Sequence, residues 1–246
     1  MKNLDNFEWK SAGDTNLNFS FINAAEGAEL LEKYNRIVKE DYQDNEWLMG
    51  VLAKDRNAIG GCNIYSAILL NQILREEGIR TATPRDIEIL IQNKCLQNGK
   101  FLTDLGLILR GEYNDYLDSF KTLNNQIKDS GHNFNTSLVI PLTGLNLKDI
   151  SGKHNKNLEV RLNSDAQIIP VAQLSYDGEN IKYFNRTDEN GMPQIGEKGE
   201  RQVNTRPGNG IFRYCLSFLN FNIITTYSRL DSSEPEMGRV ILIKNK

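Results

Sequence analysis

The residues best placed to do chemistry are Gly60-Gly61-Cys62-Asn63, which lead into the apolar run Ile64-Tyr65-Ser66-Ala67-Ile68-Leu69-Leu70. The pattern predicts a helix that opens at Cys62 and closes at Gly78. Unpaired backbone N–H groups at a helix N-terminus favour a thiolate, so Cys62 is the candidate nucleophile by position. Cysteine-dependent acyl transfer also needs a histidine within hydrogen-bond reach and a polar residue to orient it. His132, just before a predicted strand over 136–142, is the candidate base, with His154 second. Asp149, Asn146 or Asn155 is the candidate orienting residue. The same helix mouth, at Gly60, Gly61 and Asn63, could instead hold a phosphate or carboxylate with no cysteine chemistry. A third reading is packing, since free cysteine is most often buried and paired glycines give a tight turn. Packing is the simplest of the three.

Other chemistries find less material. Three cysteines (Cys62, Cys95, Cys215) lie far apart, and with two histidines they make no zinc spacing, so no metal site is expected. No GxxxxGK[ST] occurs, and Gly60-Gly61 does not follow a clear strand, so no nucleotide cofactor is implied. Asp115/Asp118 and Glu76/Glu77 fall on polar helical segments where acids face water. The acidic run Asp231–Glu236 lacks the spacing of a calcium loop. Arginines at 186, 201, 206, 213, 229 and 239 alternate with aromatics, as in some single-strand nucleic-acid binders. Acids interleave with them throughout, and cross-strand pairing explains the pattern more simply.

The whole chain supports those exclusions. Its 246 residues carry a net charge of -3, so there is no basic field to draw nucleic acid or an anionic membrane. The first residues carry acids early and no apolar core, so no signal peptide is expected. No apolar run approaches the ~20 residues of a membrane helix. A soluble, cytoplasmic protein in a reducing compartment is the expectation.

The elements that must position these residues change period midway. Asn23 with Glu26 makes a capping-box pattern before Leu30, Leu31, Tyr34, Ile37 and Val38 at helical spacing. Thr83-Pro84-Arg85-Asp86 supplies a cap, a proline at the first helical position and an acid at the third. A further helix is predicted through Tyr113 and Ile127 to Gly131, and a short buried strand over 105–109. Beyond 130, strands are predicted at 137–142, 158–162, 167–172, 214–227 and 240–243, with Pro141 and Pro170 marking edges or bulges. The polar stretch 176–209 reads as long hairpin turns or a mobile loop. The order predicts an α+β fold, with a helical region over 1–130 and a mainly antiparallel sheet or small barrel over 131–246. One continuous domain fits that order as well as two.

Two resemblances follow from particular residues. Gly61-Cys62, Ser66, Leu69, Leu74-Arg75 and Gly78-Ile79 resemble the cysteine helix of transglutaminase-like proteins, which implies Cys62 as nucleophile. A nucleophile on a helix followed by a histidine at a strand edge is also the chain order of papain-like folds. More broadly, Ile73–Thr83, Ile140–Leu145, Asp165–Ile169 and Gly238–Ile243 resemble segments of uncharacterised proteins of small archaeal genomes. That likeness implies an intracellular protein of unassigned activity and brings no catalytic residues with it. The leading expectation is a non-catalytic binding or interaction protein with a protein or small-molecule partner. The alternative is a cysteine-dependent hydrolase or acyltransferase using Cys62, His132 and Asp149.

Overall fold

The computed structural model describes residues 17–22, 24–48, 53–55, 58–60, 62–96, 102–111, 118–150, 158–226, 230 and 240–246. Four helices are found among them: α1 (Ala24–Asp41), α2 (Ile64–Leu74), α3 (Pro84–Gln92) and α4 (Lys121–Asp129). With the strands below they make an α+β fold. Leu30, Tyr34 and Val38 bury one face of α1 at four-residue spacing. Helix α2 is apolar nearly all round, and all its residues except Gln72 are buried. Its tail tightens into a 3-10 turn over Arg75–Glu77, and Gly78 ends it in the left-handed conformation at φ 68°. Helix α3 starts as its sequence dictates, with Thr83 and Asp86 exchanging the two bonds of a capping box.

Strands, numbered in chain order, form two sheets and a hairpin. The larger sheet runs β11 (Pro193–Gly196), β10 (Ile181–Thr187), β12 (Arg201–Asn204), β14 (Ile223–Thr226), β13 (Gly210–Ser217), β5 (Leu102–Arg110), β6 (Leu138–Pro141), β9 (Ile169–Pro170). Its pairs are antiparallel except β12 with β14. The smaller sheet is built on β15 (Val240–Asn245), which pairs β1 (Phe19–Phe21), β3 (Ala58–Gly60) and β4 (Ile79–Thr81), with β2 (Ala53–Asp55) beyond β3. Strands β7 (Leu145–Asp149) and β8 (Leu158–Leu162) form the hairpin. Pairing therefore crosses residue 130 in both sheets: β5 lies between β13 and β6, and β15 binds three strands of the first half.

Alternation along these strands feeds two cores. Leu138, Ile140, Val240 and Leu242 join α1, α2, α4 and the β7–β8 hairpin in one. Val139, Ile241 and Ile243 join α3 and the inner residues of β10, β12 and β13 in the other. Gly106 is required where β5 meets β6, because a Cβ there would lie 2.3 Å from the Ile140 carbonyl oxygen.

Three local expectations change. The predicted strand over 167–172 shrinks to the edge pair Ile169–Pro170, since Pro170 has no N–H to extend a ladder and Ala172–Leu174 turn as 3-10. The polar stretch 176–209 narrows from hairpin turns or a mobile loop to the first of these, since it carries β10 paired antiparallel with β11 and with β12. The helix predicted from Tyr113 has its described part later, in α4, after a 3-10 turn over Asp118–Phe120; residues 112–117 lie outside the described residues.

Candidate functional site

At the mouth of α2 the residue in the cap position is Asn63, one beyond the cysteine. Its side-chain oxygen accepts the Ser66 N–H at 2.8 Å, and the Ser66 hydroxyl accepts the Asn63 N–H at 2.9 Å. The Asn63 side-chain amide donates to the Trp47 carbonyl at 2.6 Å, and the Ile64 N–H donates to the Leu230 carbonyl at 3.0 Å. Much of the donor capacity that an anion would use there is thus met by protein oxygens. Gly60 ends β3, opposite Ala53, and Gly61 lies outside the described residues.

Cys62 is 0% exposed. Burial first, and then the Asp104 carboxylate, push its thiol far above the ordinary range, against smaller opposing effects of Ser66 and Arg213. His132 stands half-buried just past α4, its Nδ1 3.0 Å from the Ser130 hydroxyl and its backbone N–H donated to Ile127. Asp149 closes β7 beside Tyr42, whose phenol is pushed up to about 12 by burial and then by Asp149 and Asp41. The three candidate catalytic residues keep different company, and the thiol is enclosed. His154 and Asn155 lie outside the described residues, and Asn146 accepts a hydrogen bond from Arg75.

A different place gathers polar side chains around open space. Two adjoining depressions of about 280 and 470 Å³ share Arg80, Thr83, Pro141 and Gln167. The C-terminal end of α2 supplies Asn71 and, one turn on, Arg75, while β4 supplies Arg80. The start of α3 contributes Thr83 and Arg85. Thr143 comes from the turn after β6, and Asp165 and Gln167 from the segment that leads into β9.

Hydrogen bonds set these walls before any ligand arrives. Asn71 clamps α2 to β4 by donating to the Thr81 hydroxyl at 2.7 Å and accepting the Thr81 N–H at 2.8 Å. The Arg80 guanidinium forks onto Asp86 at 2.5 and 3.1 Å and donates to the Thr81 carbonyl at 3.3 Å. Asp86 also accepts the Thr83 N–H and hydroxyl, at 2.8 and 2.6 Å. Both oxygens of Asp86 are therefore in use. Arg80 spends three of the five N–H groups a guanidinium offers.

Sequence reasoning did not single out Arg75, Arg80 and Arg85 as a set. Their only signal was indirect: Ile73–Thr83, Ile140–Leu145 and Asp165–Ile169, quoted above for a family likeness, all contribute to this cleft. Among the described residues no group of three or more His, Cys, Asp or Glu side chains could hold a metal ion. No helix among them is long and apolar enough to cross a membrane. No protein-family model, no curated protein and no solved structure matches the chain.

Proposed function

We propose that this is a non-catalytic binding protein whose ligand is a small polar molecule seated in the cleft between α2, β4, α3 and the Pro141–Thr143 turn. One observation carries the reading: polar side chains from separate segments converge on open space, and Asn71, Arg80 and Asp86 are already locked by one another and by Thr81 and Thr83. Such preorganisation lowers the ordering cost of binding. In this reading the helices of the first half lie against the β-rich second half and serve as the frame. A reducing, cytoplasmic setting accords with three free, buried cysteines. The hydrolase alternative needs a sulfur that substrate can reach, and Cys62 is fully buried.

The test is thermal unfolding with a panel of polar small molecules, neutral and charged, on the native chain and on Thr143→Trp, which fills the cleft. A ligand present at 100 times its Kd stabilises by about 2.7 kcal/mol. For a chain of this size that raises Tm by about 5–11 °C. The expected result is such a shift in the native chain and its loss in Thr143→Trp. A panel that leaves Tm unmoved, or a shift that Thr143→Trp retains, sinks the reading.

A further inference from the structure

The cleft has a surplus of donors and of positive charge. Among the described residues, three guanidinium groups (Arg75, Arg80, Arg85) line it against two carboxylates, Asp86 and Asp165. Asp86 is occupied by Arg80 and Thr83, as described, while Asp165 is exposed and accepts from the Ser164 hydroxyl at 3.2 Å. Arg85 is exposed, and its side chain makes no hydrogen bond or ion pair among the described residues. Arg75 holds the C-cap of α2, where the helix dipole favours a cation, and spends one N–H on Asn146 at 3.2 Å. This positive pocket sits in a chain of net charge -3, so its field is local rather than a share of a general basic surface.

Resting on the binding reading above, we propose that the ligand carries an oxyanion, a carboxylate or a phosphate ester, on a hydroxylated body. Arg80, set by Asp86, presents the two N–H groups that are uncommitted among the described residues as a fixed fork between the two depressions. Arg75 and Arg85 close on the oxyanion from either side as flexible clamps. Planar forks of this kind match the paired oxygens of carboxylates and phosphates. The Thr143 hydroxyl and the amides of Gln167 and Asn190 offer both donors and acceptors, which suits the hydroxyl groups of a sugar acid or sugar phosphate.

Calorimetric titration of the full chain with ribose 5-phosphate, gluconate, inorganic phosphate and neutral ribose tests this directly. The two organic anions distinguish a phosphate from a carboxylate source. At least one of them is expected to bind ten or more times tighter than ribose, and more weakly as salt rises. Arg85→Gln is expected to weaken that anion by about 10- to 100-fold, the range of a charge-assisted hydrogen bond, with Tm unchanged. Arg80→Lys, which keeps the charge and loses the fork, is expected to weaken it as well. If ribose binds as tightly as both organic anions, or Arg85→Gln with Arg75→Gln leaves every Kd within twofold, the oxyanion proposal fails while the binding reading stands. If no probe, charged or neutral, binds up to about 10 mM, both fail.

Discussion

Asp104 of β5 and Arg213 of β13 form a buried ion pair across neighbouring strands, and cutting it has a calculable consequence. The two side chains are 0% and 1% exposed. The guanidinium donates to both carboxylate oxygens, at 2.8 and 2.5 Å. Cys215, paired with Asp104 across β13 and β5, adds a thiol donor at 3.2 Å. Asp104→Asn keeps the shape and removes the charge, so the buried Arg213 guanidinium loses the carboxylate that holds it. Breaking one side of such a pair costs about 3–5 kcal/mol. Against a typical total of about 5–15 kcal/mol, that is roughly a fifth of the stability or more.

Urea unfolding followed by far-UV circular dichroism measures the effect. With a slope of about 3 kcal/mol/M, the midpoint should fall by about 1–1.7 M. Replacing both partners by apolar residues, Asp104→Leu with Arg213→Met, should recover most of the loss, because no unpaired charge then stays buried. A chemical readout accompanies the energetic one. Asp104 raises both the Cys62 and Cys215 thiols, after burial, while Arg213 lowers them. Asp104→Asn should therefore make both thiols more acidic and quicker to react in partially opened states. A loss below about 1 kcal/mol for Asp104→Asn, or a double variant less stable than either single one, would refute the reasoning.

Two further outcomes follow from burial and charge. A thiol reagent added to the folded chain should label none of Cys62, Cys95 and Cys215 within minutes and all three after unfolding, since all are buried; rapid labelling of Cys62 in the native state would bring the nucleophile reading back. Absorbance titration should place Tyr42 at about 12, and Asp149→Asn should lower it, because Asp149 is the first charge that holds the phenol neutral after burial itself. The neutral phenol is the form the fold favours. Its stabilisation is therefore complete below an unfolded-state pKa of about 10 and is lost as pH rises through 12, and a midpoint indifferent to alkali over that window would contradict it.

How much of this was legible depends on whether the cause is local. Thr83, Pro84 and Asp86 fix the start of α3 by contacts within four residues, and Leu158–Leu162 reads as a strand by alternation alone. The strands between 176 and 209 were hidden because one of their inward residues is a lysine. Lys182 is 5% exposed, and its ammonium is satisfied by the Gln173 and Ser175 carbonyls and by Asp177, so a polar letter occupies a core position next but one to Phe184. Arg213 disguises β13 in the same way. A hydrophobic pattern cannot report a buried charge whose partner lies 109 residues away.

The candidate site was hidden for a related reason. Arg75, Arg80 and Arg85 recur every five residues, which matches neither a helix nor a strand, because each belongs to a different element. They share one cleft only through the return of the chain at Pro141 and Gln167 and through the pairing of β4 with β15. The cysteine, by contrast, was conspicuous because its signal is short-range. Helix α2 is buried on nearly every face, and its two ends differ in what they offer a ligand. At its N-terminal end Asn63 and Ile64 are committed to Ser66, Trp47 and Leu230, and the thiol beside them is enclosed. At its C-terminal end, about 16 Å away for 11 residues, Asn71 and Arg75 border open space. The same helix that drew attention at Cys62 thus offers its chemistry at the opposite end.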